Sequence, residues 1–500
     1  MDLQVLIEQN PWWVDPKRID EDPQIREFDT SPVRWVPGIK RYLHLDRDVI
    51  YTLRGPRQVG KTTLLKIIIR DLLKEVSPFR ILYFTVDMLS DHKELVELIT
   101  TYQEYLDGMG VEGRRYILLD EISSVEQWVK AIKYLADTGR LKNSTLILTG
   151  SHSLDIKEAS ERLPGRRGEG DGPVNKIMMP MKFSEYVETL RPDIRRGVEL
   201  LRLSNEEKNE LILKLLEGEV EGRLLSALPY MGELRGLFER YLLTGGVIRP
   251  IVDLSRSEAA GEPRIRNEVY EIYVRTVIGD LAEWGFRESV GKRILKAVIR
   301  TMATPVSHHA IAKETEIGSH NTVMRYLEGF ESSFLLNLFY IYQMDRGMPN
   351  YRKAKKIYFS DPFIFHAIRG WAYGYSDYYS SSRKMMMDEE WRGRLVEMVA
   401  GGHLIRLLYR IRPSDVFTHH ENIFYWRGKR GGGRESEVDF VLKHNSTLIP
   451  VEVKYRKNIR SEDLRGLKRF GGGILLTHEG DIKVYGKITA IPVELFLSLI

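Results

Sequence analysis

The chain has no cysteine. Disulfides are therefore excluded, and so are zinc sites built on thiolates. It also lacks any run approaching the ~18 uninterrupted apolar residues that a membrane helix needs. The first residues, Met1-Asp2-Leu3-Gln4, show no basic segment followed by an apolar one. No secretory signal is expected, and the chain reads as cytoplasmic with no membrane partner. Charge is what it has in quantity: 29% of the residues are Asp, Glu, Lys or Arg, a composition that suits a heat-stable protein. The net charge of +5 is small, but it is unevenly placed. Between Arg410 and Phe470 fourteen Lys and Arg meet eight Asp and Glu, an excess of six, so the remainder is close to neutral. A basic C-terminal region of this kind can attract nucleic acid. Five hundred residues suggest about three domains at roughly 150 residues each.

The sharpest local signal is Gly55-Pro56-Arg57-Gln58-Val59-Gly60-Lys61-Thr62, a complete G-x-x-x-x-G-K-[ST] loop continued by Thr63. It follows the apolar run 49–53 and opens a helical pattern at 64–69, the strand–loop–helix context that a phosphate loop requires. The glycines let backbone N–H groups turn inward around phosphate oxygens, and the following helix points its positive end at them. Lys61 is expected to reach the β- and γ-phosphates of ATP, and the Thr62 hydroxyl to ligate Mg²⁺.

Further strand candidates lie at 80–87, 116–119 and 145–148, separated by helical stretches around 91–107 and 125–139. Alternation of this kind implies a parallel sheet covered on both faces, with ligands beyond the carboxyl ends of its strands. Asp120 ends one strand and is expected to hold Mg²⁺, with Glu121 orienting and deprotonating the attacking water. Thr149 or Ser151 could bond the γ-phosphate or its water from the neighbouring strand. In the Gly/Arg-rich loop after it, Arg166 or Arg167 is a candidate finger for a neighbouring subunit's nucleotide.

Three blocks carry a family resemblance: 55–65 around the phosphate loop, Leu118-Leu119-Asp120-Glu121-Ile122, and Leu148-Thr149-Gly150-Ser151. They resemble the AAA+ ATPases of the Orc/Cdc6-related and STAND-neighbouring branch. The opening Glu8-Gln9-Asn10-Pro11-Trp12-Trp13 resembles the archaeal members in particular. Tyr241-Leu242-Leu243-Thr244-Gly245-Gly246 and Lys356-Ile357-Tyr358-Phe359-Ser360-Asp361-Pro362 resemble helical and linker blocks of the same family. The resemblance implies homo-oligomeric rings, often hexamers, with nucleotide between subunits, and a C-terminal domain similar to restriction-endonuclease-like folds.

The middle of the chain is helix-rich, and within this family it reads as a lid. A helix-turn-helix pattern follows: a first helix at 310–315, a turn at 316–318, and a second helix at 320–331 capped by Ser319, with Val323, Leu327 and Phe330 buried. The run 334–342 then reads as a wing strand. His320, Asn321, Arg325, Glu328 and Glu331 would face outward, a neutral-to-acidic set that argues for a packing module rather than a major-groove reader. The pairs His308-His309 and His419-His420 read as surface histidines.

In the C-terminal part, period-2 alternation in strands around 437–442 and 448–454 would bring Asp439, Glu452 and Lys454 together, with Glu397 on a preceding helix. Two acids and a lysine suit metal-dependent phosphodiester hydrolysis. The set resembles the PD-(D/E)xK motif, Holliday-junction resolvases included. The expected fold is α/β: a P-loop NTPase (AAA+) parallel sheet with a helical lid, a winged helix and a C-terminal α/β nuclease-like domain. Its expected segments are 1–182, 183–290, 291–387 and 388–500. The expected activity is Mg²⁺-dependent ATP hydrolysis in a ring, with DNA as macromolecular partner. Two rival expectations are an ATP-regulated nuclease and a nucleotide-switched scaffold that ignores nucleic acid.

Overall fold

The computed structural model describes residues 2–500 apart from 151–166, 169–171, 430–434, 446, 457 and 479. Ser151 and Arg166 therefore lie outside the described residues. The chain divides into two compact units, one of residues 1–179 with 414–416 and one of 180–413 with 417–500. No comparable division falls at 290 or 387, so the three segments expected after 182 share one unit.

The first unit is built on five parallel strands: β1 (Val49–Arg54), β2 (Ile81–Thr85), β3 (Arg115–Asp120), β4 (Ser144–Gly150) and β5 (Asn175–Ile177). Their order is β2-β3-β4-β1-β5. Continuous apolar strands such as β1 and β4, buried at every residue, are what a sheet covered on both faces demands. Helices Lys61–Leu72, His92–Gly108 and Trp128–Asp137 supply connections. The three-residue β5 was not foreseen, because its pattern is too short to show a period.

β2 is an edge strand, and the N-terminal segment closes it with side chains instead of another strand. The Asn10 amide donates to the Tyr83 carbonyl at 2.9 Å, while its oxygen accepts the Tyr83 N–H at 2.7 Å. Gln9 Oε1 accepts the Thr85 N–H at 2.8 Å, and the indoles of Trp12 and Trp13 donate to the Ile81 carbonyl at 3.2 and 2.9 Å. The Ile81 carbonyl, both Tyr83 backbone groups and the Thr85 N–H are thereby paired.

The second unit leads with helices and ends in one eight-stranded sheet. Its strands are β6 (Leu336–Gln343), β7 (Met348–Phe359), β8 (Ile423–Lys429), β9 (Glu435–His444), β10 (Thr447–Lys454), β11 (Gly473–Thr477), β12 (Lys483–Tyr485) and β13 (Ile488–Pro492), in the order β12-β13-β11-β10-β9-β8-β6-β7. The helix pair expected at 310–315 and 320–331 is present as His308–Glu314 and His320–Ser332. The hairpin after it is not a free-standing wing. β6 runs parallel to β8 through Tyr340 and Ile341, which ties the hairpin into the C-terminal sheet. Helix Glu389–Ile411 lies close to that sheet: a Cβ on Gly401 would stand 2.8 Å from the Phe440 ring.

The two middle blocks of family resemblance meet each other in this unit. Asp361 caps helix Pro362–Tyr373 by accepting the Phe363 N–H at 2.8 Å, and its other oxygen accepts the Gly246 N–H at 2.8 Å. Gly245 has φ +57°, and a Cβ there would stand 1.9 Å from Asp361 Oδ1, so only glycine fits.

The edge closure makes a direct prediction. Asn10→Ala strips both partners from the outward Tyr83 backbone groups, and at roughly 1–3 kcal/mol per orphaned buried group this lowers the stability of the first unit by about 2–6 kcal/mol. Denaturant unfolding followed by tryptophan fluorescence, to which Trp12 and Trp13 contribute, measures the loss.

Candidate functional site

The phosphate loop joins β1 to helix Lys61–Leu72. Gly60 has φ +102°, in the left-handed region that favours glycine, and Gln58 also has positive φ at 63°. Gly55 is needed for proximity: a Cβ there would lie 2.1 Å from the Met178 carbonyl oxygen. Gly55, Pro56, Val59 and Lys61 are buried, Arg57, Gly60, Thr62 and Thr63 half-buried, and Gln58 exposed. The Lys61 ammonium curls back onto the loop's own Gly55 and Pro56 carbonyls at 2.9 and 3.1 Å. It thus sits within the loop whose N–H groups would surround phosphate oxygens.

Asp120, at the carboxyl end of β3 and 3% exposed, gathers the rest. Thr62 Oγ1 donates to its Oδ2 at 2.7 Å, and the Tyr83 hydroxyl donates to the same oxygen at 3.1 Å. Thr149 Oγ1 donates to Asp120 Oδ1 and accepts the Glu121 N–H at 3.2 Å. Thr149, near the end of β4, therefore touches this carboxylate, while Ser151 lies outside the described residues. Glu121 has φ +57° and ψ +44°, a strained conformation for a non-glycine residue that turns the chain just after Asp120. A hydroxyl and a carboxylate oxygen side by side are the hard ligands that suit Mg²⁺, so Thr62 and Asp120 could hold it.

Tyr83 was not foreseen from the sequence, because an aromatic residue inside an apolar strand carries no polar signal. Burial, and then the charge of Asp120, push its phenol well above the usual tyrosine range, so it stays a donor. The Lys66 ammonium lies 3.4 Å from the Tyr83 ring centroid and 3.2 Å from Asp22 Oδ2. A polar chain consequently runs from the N-terminal segment to the metal-ligand candidates.

Arg167 is a correction. It was expected as one of two candidate fingers, but its side chain is buried and faces inward. Its guanidinium donates to the Ile50 carbonyl at 3.0 and 3.2 Å, to Asn175 Oδ1 at 2.6 Å and to Thr52 Oγ1 at 3.2 Å. Burial pulls its pKa down to about 10, so it stays charged while stitching β1 to β5. An arginine so committed cannot reach another subunit.

The histidine expectation also fails in part. His419 is buried, and Glu331, expected to face outward, turns toward it. His420 Nε2 meets Glu331 Oε1 at 2.8 Å, and His419 Nε2 meets the Leu338 carbonyl at 3.0 Å. The ligand atoms of Glu331, His419 and His420 lie within 4.8 Å of one another, so they could surround a metal ion, but these hydrogen bonds already engage them. Burial pulls His419 down to about 4 and keeps it neutral.

In the second unit the four acid and lysine candidates do come together. β9 and β10 are antiparallel with Phe440 opposite Val451, which sets Asp439 opposite Glu452. The Asp439 N–H donates to Glu452 Oε2 at 3.2 Å, the Val453 N–H donates to Asp439 Oδ2 at 2.9 Å, and Lys454 Nζ lies 2.5 Å from Glu452 Oε1. Glu397 joins through a residue that pattern reading missed, Lys356 of β7. Its ammonium lies 2.9 Å from Glu397 Oε1, 2.7 Å from Asp439 Oδ1 and 2.6 Å from Glu437 Oε1. In a flat sheet three strand spacings, about 14 Å, would separate β7 from β9. The long lysine stem and the acid side chains reaching toward it bridge that span.

The charges in this cluster are uneven. Burial, reinforced by Asp439, raises Glu397 to about 7 and Glu452 to about 8. Asp439 resists burial and falls to about 2 because Lys356 and Lys454 face it.

Arg167→Ala orphans the Ile50 carbonyl and Asn175, costing about 2–4 kcal/mol. The readout is a lowered melting temperature, whereas loss of a finger would cut turnover and leave melting unchanged. For the acid cluster, raised carboxyl pKa values mean that the folded state binds these protons more tightly. Their stabilising contribution is full below the ordinary glutamate value and is lost as pH rises through about 7 and 8. The melting temperature of the second unit should fall from about pH 4.5 to about pH 8 and level off above it, and Glu452→Gln should flatten that slope.

Comparison with known proteins agrees with the first unit's geometry. Residues 47–187 match the AAA domain family. Residues 235–373 and 392–496 match two domain families of unknown function. The uncharacterized protein MJ1637 of Methanocaldococcus jannaschii is 26% identical over 474 residues, 92% of this chain and 87% of that protein. A second uncharacterized protein of that organism, MJ1544, is 23% identical over 84% of this chain and 78% of its own length. Among solved structures, the Walker-type ATPase PABY2304 of Pyrococcus abyssi aligns at 15% identity and a TM-score of 0.38, covering 71% of this chain and 97% of that one. Among the described residues no helix is long and apolar enough to cross a membrane. With a five-stranded parallel sheet, a complete phosphate loop at the end of β1 and a match to the AAA domain family over 47–187, this chain carries a P-loop ATPase domain.

Proposed function

We propose that the chain hydrolyses ATP with Mg²⁺ and couples hydrolysis to rearrangement between subunits of a homo-oligomeric ring. The observation that carries the metal-dependent part is the 2.7 Å contact between Thr62 Oγ1 and Asp120 Oδ2. It sets a helix-borne hydroxyl and a strand-borne carboxylate side by side at the mouth of the phosphate loop. When bound, Mg²⁺ would neutralise charge on the β- and γ-phosphates. Thr62 and Asp120 would hold it, and Lys61 would leave the Gly55 and Pro56 carbonyls for phosphate oxygens. Glu121, held at positive φ beside Thr149, would orient the attacking water and take its proton. Tyr83 and Thr149 would keep the Asp120 carboxylate aimed.

Ring formation, with a hexamer as the expected size, rests on the family resemblance and the AAA match. With Arg167 committed to β1 and β5, Arg166 is the remaining finger candidate. DNA is the partner favoured by the basic excess between Arg410 and Phe470.

Lys61→Ala and Glu121→Gln should each lower ATP turnover by at least about 10²-fold, the usual scale for removing an essential catalytic group. Glu121→Gln should keep nucleotide affinity, as read by a fluorescent ATP analogue. Turnover unchanged in either variant would refute the assignment. Light scattering with a non-hydrolysable analogue tests the ring. DNA binding that weakens steeply with salt supports the DNA role, while slow hydrolysis without any such binding supports the scaffold reading instead.

A further inference from the structure

Two of the three carboxylates expected at a divalent-cation site in the second unit, Asp439 and Glu397, hold the Lys356 ammonium instead, and the third, Glu452, meets Lys454. Lys356 has a side chain only 1% exposed, and its Nζ lies within 2.9 Å of oxygens from Glu397, Glu437 and Asp439. Its N–H groups donate to Glu397 and Asp439, and Glu437 adds an ion pair. Burial alone would pull its pKa down, but Asp439 and then Glu397 hold it well above the ordinary lysine range. The site therefore has a permanent cation.

A Mg²⁺ ion needs a near-octahedral set of oxygens at about 2.0–2.1 Å. An ion held by Asp439 and Glu397 would have to displace Lys356 Nζ, which already lies 2.7 and 2.9 Å from their oxygens. The other lysine is committed as well. Lys454, in the last position of the motif, lies 2.5 Å from Glu452 Oε1 and is not presented to a substrate. The Tyr358 hydroxyl donates to Glu397 Oε1 and takes up part of the acid on the helix. Metal-assisted hydrolysis needs a cation with an open position for water, and neither lysine supplies one.

We propose that Lys356 takes the place of the metal ion, so the C-terminal α/β region is a metal-free, non-hydrolytic counterpart of a nuclease site. Its role is to fasten β7, β9 and helix Glu389–Ile411 to one another, and any nucleic acid that the unit meets is bound and left uncut. The inference stands independently of ATP hydrolysis by the first unit.

The test is a Mn²⁺ titration of the full chain without nucleotide, followed by electron paramagnetic resonance. An Asp120→Asn background removes the metal candidate of the first unit. In that parent the second unit should take up no Mn²⁺, and linear and branched DNA should survive incubation with Mg²⁺ or Mn²⁺. Lys356→Met, which keeps the stem and deletes the charge, should gain one Mn²⁺ site that Asp439→Asn removes. Its lowered melting temperature should recover with Mn²⁺ while the parent's does not move. If Lys356→Met does not fold, Lys356→Met/Glu437→Gln deletes one carboxylate along with the ammonium and serves the same titration. Mn²⁺ uptake by the parent that is lost in Asp439→Asn overturns the proposal, whether or not either lysine variant folds. So does a folded Lys356→Met that gains no site.

Discussion

The nucleotide-binding unit depends on one buried carboxylate. Asp120 accepts hydrogen bonds from Thr62, Tyr83 and Thr149, which come from the helix after the phosphate loop, from β2 and from β4. A buried anion is costly unless it is paired or hydrogen-bonded, so those donors must converge for the unit to fold at all. The register of four elements is thereby referred to a single oxygen pair at the carboxyl edge of the sheet. Catalytic geometry and folding are consequently one constraint here, because the groups that would position a metal ion are those that make Asp120 tolerable.

The second unit inverts this arrangement. Its centre is a buried cation, Lys356, ringed by acids from one helix and one strand. Removing one partner of such a cluster leaves uncompensated charge, which is far more destabilising than exchanging the whole cluster for apolar groups. Sequence change around it is therefore constrained even without catalysis. The presence of Asp439, Glu452 and Lys454 together is as well explained by mutual charge satisfaction as by chemistry.

Much of the first unit was legible in the chain. A phosphate loop carries its own mechanism in its spacing, and β3 announces its end because Asp120-Glu121 interrupts an apolar run. The rest was hidden for physical reasons. Arg167 looks like a mobile arginine because the β5 residues that receive it form too short a strand to leave a pattern. Glu331 and His419 look like surface residues because each is polar, and only the fold shows that they are buried beside each other. Lys356 lies 83 residues before its partner Asp439, and local alternation cannot place residues across such a gap. The hairpin β6–β7 reads as a wing until its short pairing with β8 is seen.

The side-chain closure of β2 has a consequence in time. Asn10 precedes the Tyr83 backbone that it pairs by 73 residues, and Gln9, Trp12 and Trp13 likewise precede their partners. During synthesis the cap leaves the ribosome before the edge it covers. The strand never has to wait bare for its cover, and the interval of greatest danger for an unpaired sheet edge, that of a half-made chain among other half-made chains, is passed with the protecting groups already in reach.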